Sequence, residues 1–307
     1  MRQTDMKNYD KYKGIFPAFY ACYDENGEIS PERVRSFTEY LLGKGVKGLY
    51  VGGSSGECIY QSVAERKLLL ENVMSVAKGR ATIIAHVACN STRDSMELAA
   101  HAEAQGADAI AAIPPIYFHL PAYSVEKYWN DISSAAPNTE FIIYNIPQLA
   151  GVALNSSILR NMMKNPNVIG VKNSSMPVQD IEMWRDEGAI VFNGPDEQLL
   201  SGLVAGAVGG IGGTYAAMPE LYLKIYDLVQ KGDILGARPI QDTCCHIIYK
   251  MCSCKGNMYA VIKEILRENG APDIGSVRAP LSAIEDSDLP IIKECASDIR
   301  EAISKYC

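Results

Sequence analysis

The chain has 307 residues, 48% hydrophobic and 21% charged, with a formal net charge of −7. That composition is ordinary for a soluble globular protein and excludes the basic surface expected of a nucleic-acid or anionic-membrane binder. The longest apolar run, residues 109–118, contains two prolines and is far too short to span a bilayer.

Residues 1–13 are polar, with no apolar core for a signal peptide, so a cytoplasmic protein is expected. The nine cysteines include no Cys-x-x-Cys pair, and His86, His101, His119 and His246 show no ligand spacing. Reduced thiols and no metal are the expectation.

Apolar runs at 14–20, 48–51, 82–87, 109–113, 141–146, 168–172, 189–192 and 209–212 predict strands. Most are continuously apolar, as parallel strands covered on both faces must be. Helical patterns follow at 31–42, 63–77, 92–105, 125–135, 156–164, 178–186 and 197–205. Ser30 and Ser62 stand at N-cap positions, and Glu65 completes a capping box with Ser62. Eight strand signals alternating with helix signals predict an α/β fold, a (β/α)8 TIM barrel over 12–230. An open doubly wound sheet would also suit the alternation, but the first turn lacks Gly-x-Gly-x-x-Gly. From 231 to 307 the pattern reads as helical throughout, including 233–251 and 257–269, and predicts a C-terminal helical extension packed on the barrel.

Active sites of such barrels form at the C-terminal strand ends. Strand 2 ends in Gly52-Gly53-Ser54-Ser55-Gly56-Glu57, whose backbone N–H groups and hydroxyls suit an anion; a plain glycine turn explains it equally well. Strand 5 ends in Tyr144-Asn145-Ile146-Pro147, with Tyr144 either a proton shuttle or packing. Strand 6 ends in Lys172 followed by Asn173-Ser174-Ser175, and a desolvated lysine can attack a ketone as a neutral amine. Taken alone, it is more readily a lysine snorkelling from a strand end. Strand 7 leads into Asn193-Gly194-Pro195-Asp196-Glu197, whose acids can accept bonds from sugar hydroxyls or simply favour a helix N-terminus. Together, on one rim, these groups supply what a Schiff-base aldolase of a 2-keto acid needs: a carboxylate anchor, an amine and a proton partner.

Residues 48–57 (Gly-Leu-Tyr-Val-Gly-Gly-Ser-Ser-Gly-Glu), Tyr144-Asn145-Ile146-Pro147 and Gly170-Val171-Lys172 resemble the dihydrodipicolinate synthase/N-acetylneuraminate lyase superfamily of pyruvate-dependent class I aldolases. Gln61-Ser62, residues 144–152, residues 193–197 and residues 209–215 bring it closer to the N-acetylneuraminate lyase branch, over residues 12–265. The resemblance implies reversible cleavage of N-acetylneuraminate to pyruvate and N-acetylmannosamine, without metal or cofactor, in a homotetramer. It implies that Lys172 forms the imine and Tyr144 relays the proton at the C4 oxygen. Ser54 and Ser55 would hold the carboxylate, Ser174 the middle hydroxyls, and Gly194, Asp196 and Glu197 the polyol. Tyr117 would stand near a subunit interface.

The chain departs from the family pattern in places. Ser54-Ser55 replaces Ser-Thr or Thr-Thr, Ala21-Cys22 replaces Thr-Pro after strand 1, and Ser174 stands where lyases often have threonine. Gly213 replaces a serine that would contact the sugar. Leu149 stands where the synthase branch has an arginine for its aldehyde substrate's carboxylate, which argues against that activity. The same rim would also serve a 2-keto-3-deoxy sugar-acid aldolase or dehydratase. A non-catalytic sugar-acid sensor on this fold is a further reading, against which the presence of both Lys172 and Tyr144 argues.

Overall fold

A computed structural model of the chain describes residues 9–307, so residues 1–8 of the polar leading segment lie outside the described residues. Eight short strands alternate with helices: β1 (Gly14–Pro17), α1 (Pro31–Gly43), β2 (Gly48–Val51), α2 (Val63–Ala77), β3 (Thr82–His86), α3 (Thr92–Gln105), β4 (Ala109–Ala112), α4 (Ala122–Ser134) and β5 (Glu140–Asn145). A single turn, α5 (Pro147–Ala150), precedes α6 (Ser156–Met162), β6 (Val168–Asn173), α7 (Gln179–Asp186), β7 (Ile190–Asn193), α8 (Leu199–Val204), β8 (Gly209–Gly212) and α9 (Pro219–Gln230). Every neighbouring pair is parallel. A parallel bridge from Ala18 to Tyr50, with the Phe19 N–H donating to the Tyr50 carbonyl at 2.8 Å, closes the ring between the two remaining edges. The fold is the expected (β/α)8 barrel.

Local chemistry starts the helices where the sequence indicates. Ser30 and Ser91 accept N-terminal N–H groups, and Ser62 and Glu65 form the reciprocal capping box. The expected helix over 197–205 is instead a 3-10 turn, Asp196–Gln198, followed by α8 from Leu199, with Asp196 and Glu197 lining the pocket. Beyond the barrel come α10 (Ile234–Met251), α11 (Met258–Glu268) and α12 (Leu289–Tyr306), with α10 packed on α8 and α9.

The expectation of helix throughout the extension fails at residues 270–288, which hold no α-helix and only a 3-10 turn, Asp286–Asp288. Pro272 and Pro280 cannot donate to a helical ladder, and Gly270 and Gly275 adopt positive φ. This segment runs back across the barrel top, where the Tyr23 N–H donates to the Ile274 carbonyl at 3.0 Å.

Strand alternation sorts side chains into an inner cluster, including Phe16, Tyr50, Ile142, Tyr144 and Phe192, and an outer one beneath the helices. The pairing of β5 with β6 is irregular. Phe141 pairs with Val168 but Ile142 pairs with Gly170, so the register slips by one residue. Beyond the slip, Val171 faces the outer cluster while Lys172 points inward, level with Tyr144 on the neighbouring strand. Gly170 permits the close approach of β7: a Cβ there would lie 2.2 Å from the Ile190 carbonyl oxygen.

Candidate active site

At the C-terminal strand ends lies a cavity of about 430 Å³. Ser54, Ser55, Tyr144, Lys172, Ser174, Gly194, Asp196, Glu197 and Gly213 all line it, so nine of the ten sequence-derived candidates converge. The tenth, Tyr117, does not line it. It is 86% exposed, has φ +87°, and packs edge-on against Phe118.

Lys172 is 5% exposed at the end of β6. Its Nζ lies 3.9 Å from the Tyr144 ring centroid and 4.2 Å from that of Tyr50, between two aromatic rings that stand edge-to-face with one another. Such faces accommodate a cation without hydrogen-bonding it. An amine held this way keeps its lone pair available to a carbonyl carbon once deprotonated. The Tyr50 hydroxyl is buried with no hydrogen-bond partner among the described residues. Behind these rings, burial and the nearby Arg66 guanidinium push the His86 pKa well below its ordinary value, so His86 is neutral. His86 Nδ1 lies 2.9 Å from the Gly52 carbonyl oxygen, tying β3 to the anion loop.

The strand ends carrying Tyr144 and Lys172 are locked from behind by a polar network that motif reading missed. Asn145 donates to Asn173 Oδ1 at 2.7 Å, and Trp184 Nε1 donates to the same oxygen at 3.2 Å. Ser175 donates to Asp180 Oδ2 at 2.6 Å. Residues 145 and 173 alternate with the inward-facing Tyr144 and Lys172, so their side chains point out of the barrel by strand parity. That parity was the available signal.

On the neighbouring wall, just after β7, Asp196 accepts from the Thr214 N–H at 2.7 Å and from Thr214 Oγ1 at 2.5 Å. Thr214 Oγ1 is in turn 2.6 Å from the Tyr222 hydroxyl. Burial pushes the Asp196 pKa up to about 6, against the lowering effect of the Thr214 bonds. Gly194 is sterically required: a Cβ there would lie 2.1 Å from Ser174 Oγ and 2.6 Å from the Asn173 carbonyl. Gly194→Ala should therefore displace Ser174 and raise KM for a hydroxylated substrate about tenfold, the effect of one lost hydrogen bond. Steady-state kinetics would show it.

Two of the departures noted in the sequence take on a clear meaning. Cys22 is buried away from the cavity, its thiol pushed up to about 12 by burial, so Ala21-Cys22 packs the core rather than touching a ligand. Gly213 fits a crowded spot, where a Cβ would lie 3.2 Å from Ser55 Oγ and 3.3 Å from the Tyr20 hydroxyl, which donates to the Gly213 carbonyl at 3.1 Å. Sequence reading also missed the outer wall: Ile248 and Cys252 come from α10 and its end, and Met258, Tyr259 and Ile262 from α11.

No group of three or more His, Cys, Asp or Glu side chains among the described residues could hold a metal ion, and no helix among them is long and apolar enough to cross a membrane. A closed (β/α)8 barrel with a buried strand-end lysine against a tyrosine, facing a serine-glycine anion loop, has the construction of an imine-forming aldolase pocket. The sequence model of the Dihydrodipicolinate synthetase family matches residues 11–299, and the chain belongs to that family. The match extends well past residue 265, into α12.

An N-acetylneuraminate lyase of Mediterraneibacter gnavus is 63% identical over 308 residues, spanning 99% of this chain and 98% of that protein. One from Salmonella agona is 33% identical, over 94% of this chain and 97% of its own length. The solved structure of a catalytic lysine mutant of Ruminococcus gnavus sialic acid aldolase superposes with a TM-score of 0.97 at 63% identity, covering 98% of this chain and all of that one.

Proposed function

We propose that this chain is an N-acetylneuraminate lyase that cleaves N-acetylneuraminate reversibly to pyruvate and N-acetylmannosamine through an imine on Lys172. The observation that carries the reading is the buried Lys172 nitrogen, seated on the Tyr144 ring and lining a cavity that Ser54, Ser55 and Asp196 also line. High identity over nearly the full chain to proteins of that activity supports it.

Ser54 and Ser55 hold the substrate carboxylate, which brings its C2 ketone to the Lys172 amine. Attack forms a carbinolamine, and loss of water leaves the iminium. Tyr144 relays the proton that leaves the C4 hydroxyl. The C4 oxygen becomes the aldehyde as the C3–C4 electron pair moves into the iminium, forming an enamine. Protonation at C3 and hydrolysis then release pyruvate and free the lysine. The iminium serves as the electron sink, so the chemistry requires neither metal nor cofactor. Ser174, Gly194, Asp196 and Glu197 orient the polyol. Leu149, 64% exposed on the cavity wall, offers no charge for a second carboxylate, which disfavours the synthase reaction.

Residues 12–230 and 231–307 act as one catalytic unit in this reading, in a cytoplasmic homotetramer. Tyr117, with exposed Phe118 and Tyr123 close in the chain, would stand at a subunit interface. Borohydride reduction in the presence of pyruvate, followed by peptide mass spectrometry, should place the reduced adduct on Lys172; an unmodified Lys172 would overturn the reading.

A pH dependence follows from Asp196. Ionised, above about pH 6, its carboxylate accepts from substrate hydroxyls; protonated, it loses one acceptor and the charge. The rate constant kcat/KM should therefore fall about tenfold for each pH unit below that value, and Asp196→Asn should flatten this limb. The linkage to stability has the opposite sense. The folded pKa is raised, so the contribution of Asp196 to stability is fullest below its unfolded value and is lost as pH rises through about 6.

A further inference from the structure

The anion loop is gripped from outside the barrel by a buried ion pair. Glu57 ends the Ser54-Ser55-Gly56-Glu57 turn in the left-handed region, φ +54° and ψ +32°, and its N–H donates to the Ser54 carbonyl at 2.9 Å. A non-glycine residue holds that conformation only when its surroundings impose it. The surroundings here come from the C-terminal extension. Glu57 Oε1 accepts from Lys263 Nζ on α11 at 2.8 Å, and Oε2 accepts from the Arg278 N–H at 2.9 Å. Lys263 Nζ also donates to the Ser276 carbonyl at 2.7 Å and lies 4.9 Å from the Tyr23 ring centroid. The Glu57 and Lys263 side chains are 0% and 1% exposed.

A fully buried ion pair seldom stabilises a fold more than an apolar pair of the same volume would. What it supplies is defined geometry. Each carboxylate oxygen has one donor, and the ammonium has two acceptors and a ring face. Those partners lie 206 and 221 residues away in sequence. The turn they hold carries both serines that line the cavity.

We propose that the Glu57–Lys263 pair is the positioning element of the carboxylate pocket: by pinning Glu57 from the C-terminal extension, it orients Ser54 and Ser55 to receive the carboxylate of a 2-keto acid. The inference rests on the aldolase reading above. Neither residue touches substrate; both act through the loop. Loss of the pair should weaken recognition of the carboxylate while leaving the amine chemistry of Lys172 intact.

The test compares two ketones on the full-length protein. Pyruvate carries the carboxylate and hydroxyacetone does not. Each is titrated with cyanoborohydride, and the reduced Lys172 adduct is read by intact mass. Glu57→Gln keeps the side-chain shape and an acceptor for the Arg278 N–H; Lys263→Met removes the cation. Both variants are checked by circular dichroism, and Glu57→Gln carries the test if Lys263→Met does not fold. The half-saturating pyruvate concentration should rise about tenfold or more, the equivalent of one hydrogen bond to a charged group. Hydroxyacetone trapping should stay within about twofold of the unaltered protein, inside the spread of a non-interacting substitution. Unchanged pyruvate trapping in a folded variant, or equal losses for both ketones, overturns the proposal. Failure of the unaltered protein to trap pyruvate would instead sink the aldolase reading itself.

Discussion

Lys172→Met should lower kcat for N-acetylneuraminate cleavage by roughly 10⁴–10⁶-fold, the scale seen when a covalent nucleophile is removed. Methionine keeps most of the side-chain volume between the Tyr50 and Tyr144 rings and removes the nitrogen. In the proposed mechanism the amine is the sole route to the iminium, and without it the electrons of the C3–C4 bond have no sink. The variant should remain folded, with a Tm equal to or above that of the unaltered protein, because a buried polar amine has been replaced by an apolar group that suits the rings. It should also bind the sugar acid without turning it over, measurable by calorimetry. Substantial residual turnover would mean that cleavage does not pass through an imine on this residue.

Tyr144→Phe should lower kcat by about 10²–10⁴-fold, the usual contribution of a positioned acid–base group. The ring face beneath Lys172 survives, and so does its edge-to-face contact with Tyr50. Imine formation with pyruvate should persist under borohydride while C3–C4 cleavage stalls. This split separates a proton relay from a packing residue. Near-normal kcat would assign Tyr144 to packing, and loss of trapping would make it part of the lysine's own environment.

The barrel was legible because its strands are continuously apolar and its helices carry local caps. Both signals come from residues within a few positions of one another, as with Ser62 and Glu65. The candidate site was legible for a related reason. In a parallel barrel every strand's C-terminal end faces the same way, so Ser54, Tyr144, Lys172 and Asp196 had to share a rim once their strands were assigned. The helical pattern beyond residue 231 was read too broadly, since it passed over the prolines and glycines that hold residues 270–288 out of a helix. Tyr259 and Ile262 were invisible as pocket residues because nothing in their local sequence distinguishes a helix face on a core from one on a cavity.

The sequence by itself determined the barrel, the rim and the chemical type of each group on it, because strand direction and side-chain chemistry are local properties. Only the tertiary structure decided how those groups are held. The register slip between β5 and β6 sets Lys172 level with Tyr144, and the close approach of a neighbouring strand's backbone at Gly170 accompanies it. The extension reaches back to grip Glu57 through Lys263 and the backbone of Asp196 through Gln241, whose amide donates to the Asp196 carbonyl at 3.1 Å. These contacts join residues 206 and 45 positions apart, and no pattern of nearby residues encodes a hydrogen bond over that separation.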